Sequence, residues 1–280
     1  MMIYNDMKQK LEKGRKKVIE AIKEHGGTTI LSTGITGDDA RMAKAAVDGG
    51  ARMLEPNHPA LALARGHKGV VTMHAAEQVR HEIKLDQMLE AANGVRNVVG
   101  NDIFITLGVP GGFTEIMPVE LEDEDFKKIS RSGVDGLHTH KSSVEDLKIW
   151  VEKAHKYGLL VDAYIGHPTD LHTFGVPAET PEDVARVAKE MESVGVDFIG
   201  LMTGMSYEGV EAGKIHPFME ERLIALKNAV TVPTIAEGGI NKTNYKAFKD
   251  LGINILVIGT AIDNIASKAV ENVVKDFLTD

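Results

Sequence analysis

The chain has 280 residues, 43% of them hydrophobic and 26% charged, proportions that allow one large buried core. Its formal net charge of −9 argues against a general nucleic-acid binder, which would show a basic face. Without a single cysteine it can hold no disulfide, thiolate nucleophile or cysteine-ligated metal.

The opening run, MMIYNDMKQKLEKGRKK, is charged and has no apolar stretch of the kind a secretory signal needs. No uncharged apolar run approaches the roughly 20 residues of a membrane helix, so the expected location is the cytoplasm, with no membrane partner. A helix is expected from about Asn5 to His25. After it, short β-branched and apolar runs alternate with helical patterns. Strands are expected at Thr28–Ser32, Ala51–Glu55, Ile103–Leu107, Gly133–His138, Leu159–Ile165, Asp197–Met202, Val232–Ala236 and Ile255–Ile258. Helices over Ser143–Tyr157 and Thr180–Ser193 are marked at their starts by Ser143 and by Thr180-Pro181-Glu182. Gly158, Gly195 and Gly252 close helices just before the next strand.

Eight strands with helical crossovers predict an α/β fold, a single (β/α)8 TIM barrel spanning residues 1–280. Residues 56–101 are too long for one crossover. They are expected to form a helical insertion after the second strand, although Val70–Met73 is itself strand-like.

In such barrels chemistry collects at the C-terminal ends of the strands. Those ends carry Ser32 and Thr33, then Glu55, Asn57 and His58, then Thr106 and the run Gly108-Val109-Pro110-Gly111-Gly112. The next are His138, His140 and Lys141, then Asp162, Tyr164 and His167, then Met202 and Thr203, and finally Glu237. Gly166–Ala178, which contains His172, and Gly204–Gly213 are the lid candidates.

The most informative stretch is Pro233–Ala261, PTIAEGGINKTNYKAFKDLGINILVIGTA. Two parallel strands joined by one helix put Gly238, Gly239, Gly259 and Thr260 on one rim. Glycines there admit an anion close to backbone N–H groups, and a following helix N-terminus favours negative charge. This predicts a phosphate cup and a phosphorylated small-molecule substrate. Glycines also end strands and open turns in any α/β protein.

Glu237, just before the cup, would exchange a proton near the phosphorylated end if burial raises its pKa; otherwise it pairs with Lys242 or a backbone N–H. Strand alternation points His138 and His140 to the same side. With Asp162 they could hold a divalent metal such as Mg, though the chemistry requires no cofactor, and the alternative is histidines that merely pack. Lys141 could bind an anion or form a Schiff base, or simply face water. Glu55, His140, Thr203, Gly111 and Gly112 are candidate substrate contacts.

The terminal motif, IAEGG at Ile235–Gly239 followed by VIGTAI at Val257–Ile262, resembles the ribulose-phosphate-binding barrels. These include the N-acylmannosamine-6-phosphate 2-epimerases, hexulose-6-phosphate synthase, and the isomerases and cyclases of histidine biosynthesis. The resemblance implies a phosphate cup and a catalytic role for Glu237. Departures are specific. The epimerase lysine is missing from Ile103–Leu107, the first strand has no aspartate, and the synthase DxKxxD pattern is absent. Gly108–Gly112 echoes Glu237–Gly239 and suggests a second phosphate site with Lys141, as half-barrel symmetry would give. The expected activity is a sugar-phosphate isomerase or epimerase, with Glu237, Asp162, His138 and Lys141 as the catalytic set. The alternatives are a metal- or lysine-dependent carbon–carbon lyase and a non-catalytic phosphometabolite-binding barrel. Apolar rim segments leave room for a homo-oligomer.

Overall fold

The computed structural model describes residues 2–113, 119–169, 174–204 and 213–279. Nine strands run in chain order: β1 (Thr29–Ser32), β2 (Met53–Leu54), β3 (Phe104–Phe113), β4 (Gly136–His140), β5 (Leu160–Gly166), β6 (Val176–Pro177), β7 (Phe198–Met202), β8 (Thr234–Glu237) and β9 (Ile255–Ile258). All pairings are parallel, and β4 pairs with β5 to close the ring through β7, β8, β9 and β1. The two-residue β6 hangs on β5 outside that ring. Eight strands therefore close into a (β/α)8 TIM barrel.

Helix starts follow their capping chemistry. Ser143 accepts the Asp146 N–H at the head of Val144–Lys156, and Thr180 accepts the Asp183 N–H ahead of Pro181–Ser193. Between β2 and β3 lie the helices His58–Ala64, Met73–Val79 and Leu85–Val99, so the insertion is helical. The strand-like Val70–Met73 is not a strand, because Thr72 caps a helix that begins at Met73.

Two apolar layers organise the molecule. Outward-facing strand residues such as Ile105, Leu137, Val161 and Ile199 pack against the helices. Inward-facing Leu31, Met53, Phe104, Leu160, Phe198, Ile235 and Ile255 fill the barrel. The N-terminal helix, Met2–Glu24, plugs the bottom by adding Val18, Ala21 and Ile22 to that inner layer. Charged pairs pin it there: Lys17 reaches Asp135 at 2.6 Å, and Arg15 reaches Asp197 at 2.6 Å. Among the described residues, no helix is long and apolar enough to cross a membrane.

Candidate active site at the C-terminal barrel mouth

Parity along parallel strands builds the site. His138 and His140 alternate inward on β4, and Asp162 and Tyr164 do so on β5, with His138 in register with Asp162. The Asp162 carboxylate lies 2.6 Å from His138 Nδ1 and accepts the Thr106 hydroxyl at 2.5 Å from β3. His138 Nε2 meets His140 Nε2 at 2.9 Å, so one imidazole donates to the other. The Tyr164 ring lies tilted against His138 at 4.8 Å and edge-on to His140 at 5.0 Å. Gly200 makes room for that ring, since a Cβ there would sit 2.3 Å from it.

Two glutamates surround this pair. Glu55, just after β2 and 1% exposed, places Oε1 3.7 Å from His138 Nε2 and accepts the Asn57 amide at 2.5 Å. Glu237, ending β8, places Oε2 3.9 Å from His138 Nε2 and 4.0 Å from His140 Nε2. The Oε2 atoms of both glutamates have no hydrogen-bond partner among the described residues.

Electrostatics follow chiefly from burial, with Arg80, over the Phe113 ring, as the fixed cation acting on His140. Burial raises Glu55 to about 8, with Glu237 and Asp162 adding repulsion that the His138 charge only partly offsets. Glu237 is raised chiefly by burial. For His138, burial favours the neutral ring, yet Glu55, Asp162 and Glu237 outweigh it and push the imidazole up to about 10. His140 lies well below the ordinary imidazole range, held there by burial and then by the charge on His138. The resulting chain is a carboxylate, a charged imidazole and a neutral imidazole.

Above the cluster opens a cavity of about 270 Å³. His140 and Glu237 form part of its floor, and Gly238, Gly239, Gly259, Thr260 and Ala261 line one wall. Gly238 and Gly239 have φ of +107° and +71°, conformations that turn backbone N–H groups without steric cost. The helix Thr260–Leu278 starts with no side-chain cap, which leaves its first N–H groups for a ligand. No lysine or arginine lines the cavity among the described residues, so an anion held there would rely on backbone N–H dipoles.

A model of the histidine biosynthesis protein family matches residues 86–265. The chain belongs to that family. Imidazole glycerol phosphate synthase subunit HisF of Campylobacter concisus (strain 13826) is 30% identical over 158 residues. That match spans 54% of this chain and 57% of the relative, little more than half of each. Solved structures show the same fold. A 2,3-dimethylmalate lyase of the PEP mutase/isocitrate lyase superfamily has a TM-score of 0.61 at 16% identity, covering 94% of this chain and 88% of its own. The tryptophan synthase alpha-subunit of Pyrococcus furiosus has a TM-score of 0.60 at 17% identity, covering 86% of this chain and 91% of its own.

In this family member the cavity gathers Glu237, His140 and the four cup residues, with His138, Asp162 and Glu55 beneath them. Several expected residues fall elsewhere. Lys141 points away from the mouth, its ammonium 5.4 Å above the Trp150 ring on the outer side of β4. Gly111 and Gly112 belong to an extended β3 rather than to a loop, and Gly112 carbonyl accepts the Thr139 hydroxyl. Gly111 and Lys141 share a separate surface cavity in which Lys141 and Lys153 face Glu120, Glu122 and Asp146, away from Glu237 and the main cavity. Thr203 directs its hydroxyl to the carbonyls of Glu237 and Gly238, at 2.9 and 2.6 Å, and so ties down the loop after β8. The expected metal set of His138, His140 and Asp162 is rearranged, because Asp162 occupies Nδ1, the nitrogen facing away from His140. His138, His140 and Glu237 instead bring one ligand atom each within 4.8 Å of the others. Imidazole donors suit zinc, copper, nickel or iron better than Mg, which prefers oxygen.

His172 and residues 205–212 of the second lid candidate lie outside the described residues. Phe113, Glu77 and Asn264 were not foreseen. Phe113 packs 4.5 Å from the His140 ring, and the other two line the cavity. The only sequence signal was the length of the insertion for Glu77 and one helical turn after Thr260 for Asn264.

Proposed function

We propose that this chain is an enzyme that moves a proton on a phosphorylated small molecule, as a sugar-phosphate isomerase or epimerase does. The observation that carries this reading is the continuity of Glu237 with Gly238 and Gly239. Three consecutive residues supply both a carboxylate of raised pKa and the phosphate-facing backbone, in the cavity that His140 also lines. A phosphate seated in the cup fixes the distance of the reacting carbon from Glu237.

Glu237, as the carboxylate, takes a proton from the carbon beside a carbonyl; its partial burial makes it a stronger base than an exposed glutamate. His138, charged and held by Asp162, passes a proton through His140 to the carbonyl oxygen and offsets the developing enolate charge. Return of the Glu237 proton to the neighbouring carbon, while the second enediol hydroxyl hands its proton back through His140, completes an isomerisation. An epimerisation instead needs a proton delivered to the opposite face of the original carbon as the enol oxygen returns its proton to His140. A Schiff-base lyase has less support, since Lys141 faces outward and no lysine lines the cavity among the described residues.

The 2.9, 3.9 and 4.0 Å spacings of His138, His140 and Glu237 favour a second reading. These three residues would hold a divalent transition metal, with Asp162 orienting His138 from its other nitrogen. Such an ion would polarise a carbonyl, as a metal-dependent carbon–carbon lyase requires.

The test is incubation with sugar phosphates in D2O, with and without EDTA, followed by NMR. The proposal expects deuterium at the carbon beside the carbonyl in both conditions. Turnover that needs a restored metal and cleaves carbon–carbon bonds would replace it with the lyase reading.

A further inference from the structure

The last helix, Thr260–Leu278, does not behave like the other barrel helices. It contains no buried residue, and from Ser267 to Thr279 every residue is exposed. Yet Val270, Val273, Val274, Phe277 and Leu278, exposed by 50–86%, recur at helical spacing to form one apolar stripe. Three turns of such a stripe cannot rest in water unpaired. No glycine or proline occurs between Thr260 and Leu278, so this straight helix cannot break and fold back onto its own barrel.

The barrel shows the matching vacancy. Outward-facing residues of β3, β4, β5 and β7 are buried, but Ile30 of β1 and Ile258 of β9 are only half-buried, at the seam where a covering helix is missing. An apolar groove of about 250 Å³ runs there between Ile30, Met42 and Ala46 on one side and Ile262 and Ala266 on the other. The helix thus leaves the groove after its first two turns.

We propose that a second copy of this chain fills that groove with its own Thr260–Leu278 helix, and receives the first copy's helix in return. Each chain has one stripe and one groove, so a two-fold exchange satisfies both and closes the assembly. Charge permits it: beyond Ala266 the helix carries Lys268 and Lys275 against Glu271 and Asp276, a neutral segment on a chain of net charge −9. The exchange also anchors Thr260 and Ala261, which line the phosphate-facing cavity.

Sedimentation of the full chain at micromolar concentration tests it. The expected result is a dimer that Val270→Glu with Val274→Glu converts to a monomer, with unchanged helical circular dichroism and a cooperative melt. The cysteine-free background allows a second measurement. An Ala46→Cys chain mixed with a Val274→Cys chain is expected to form a covalent heterodimer under a flexible bis-maleimide. A monomeric wild-type chain, a dimer that survives both glutamates, or cysteines that join only like chains would overturn the exchange.

Discussion

The two ends of this barrel bury the same residue types and treat them in opposite ways. At the bottom, Asp135 receives Lys17 at 2.6 Å, Arg96 at 2.9 Å and the Ile105 N–H at 3.0 Å. Asp197 there receives Arg15, His155 and the Val161 N–H. At the mouth, Glu55 and Glu237 each keep one carboxylate oxygen without a hydrogen-bond partner among the described residues, and no lysine or arginine lines the cavity. The lesson is that compensated charges hold a plug in place, whereas uncompensated ones remain free to bind and exchange protons.

Breaking the bottom network should cost the most stability. Asp135→Ala strands Lys17 and Arg96, and breaking a buried pair typically costs about 3–5 kcal/mol. Urea denaturation should show that loss, with residual activity following the folded fraction. Glu237→Gln should do the reverse. Turnover should fall by roughly 10²–10⁴-fold, the usual worth of a positioned acid or base, with no loss of melting temperature. An equal loss of stability in both variants would erase the contrast between the ends.

Gly238→Ala probes the cup itself. A Cβ there would sit 2.8 Å from the Gly204 carbonyl, on a backbone with φ of +107°. Strain of about 1–3 kcal/mol is expected, together with weaker stabilisation by phosphorylated ligands. Calorimetric titration with a sugar phosphate would measure both affinity and stoichiometry.

Stability against pH sharpens the comparison with smaller effects. Glu55 is raised to about 8, so the native state holds its proton longer than the unfolded chain does, and stability falls as pH climbs from about 4.5 to 8. Lys10, on the plug helix and bonded to Ser130, is lowered to about 8 by burial. Its cost is present at low pH and is relieved between about 8 and 10.5, so its contribution rises with pH. His138, raised to about 10, adds a further fall in stability between about pH 6.5 and 10 that opposes the Lys10 gain. In EDTA, Glu55→Gln should reduce the fall below pH 8, and Lys10→Met should deepen the fall above it. Thermal melts across pH would show whether the two slopes separate.

Much of this was legible because it is local. Glycines after apolar runs marked the residues that line one wall of the cavity, Gly238, Gly239 and Gly259, and alternation put His138 and His140 on one face. The same alternation turns Lys141 outward, which the residue pattern alone could have said. Other features depend on strands distant in sequence. Asp162 reaches the far nitrogen of His138 because β4 and β5 register those two residues side by side. Thr203 is taken up by β8 backbone, and the insertion returns Glu77 to the mouth from a helix that no periodicity assigns to the site. The departure of Thr260–Leu278 from the barrel was hidden too, since its amphipathic pattern is that of a packed helix.

The most direct measurement is a thermal-shift panel of sugar phosphates, the corresponding unphosphorylated sugars and inorganic phosphate, read on wild type, Gly238→Ala and Glu237→Gln. A ligand that binds only the native state raises its melting temperature by mass action. Stabilisation by phosphorylated compounds alone, weakened by Gly238→Ala and kept by Glu237→Gln, is the predicted result. No shift with any phosphate, or equal shifts with the unphosphorylated sugars, would contradict the phosphate cup and leave its glycines as turn formers.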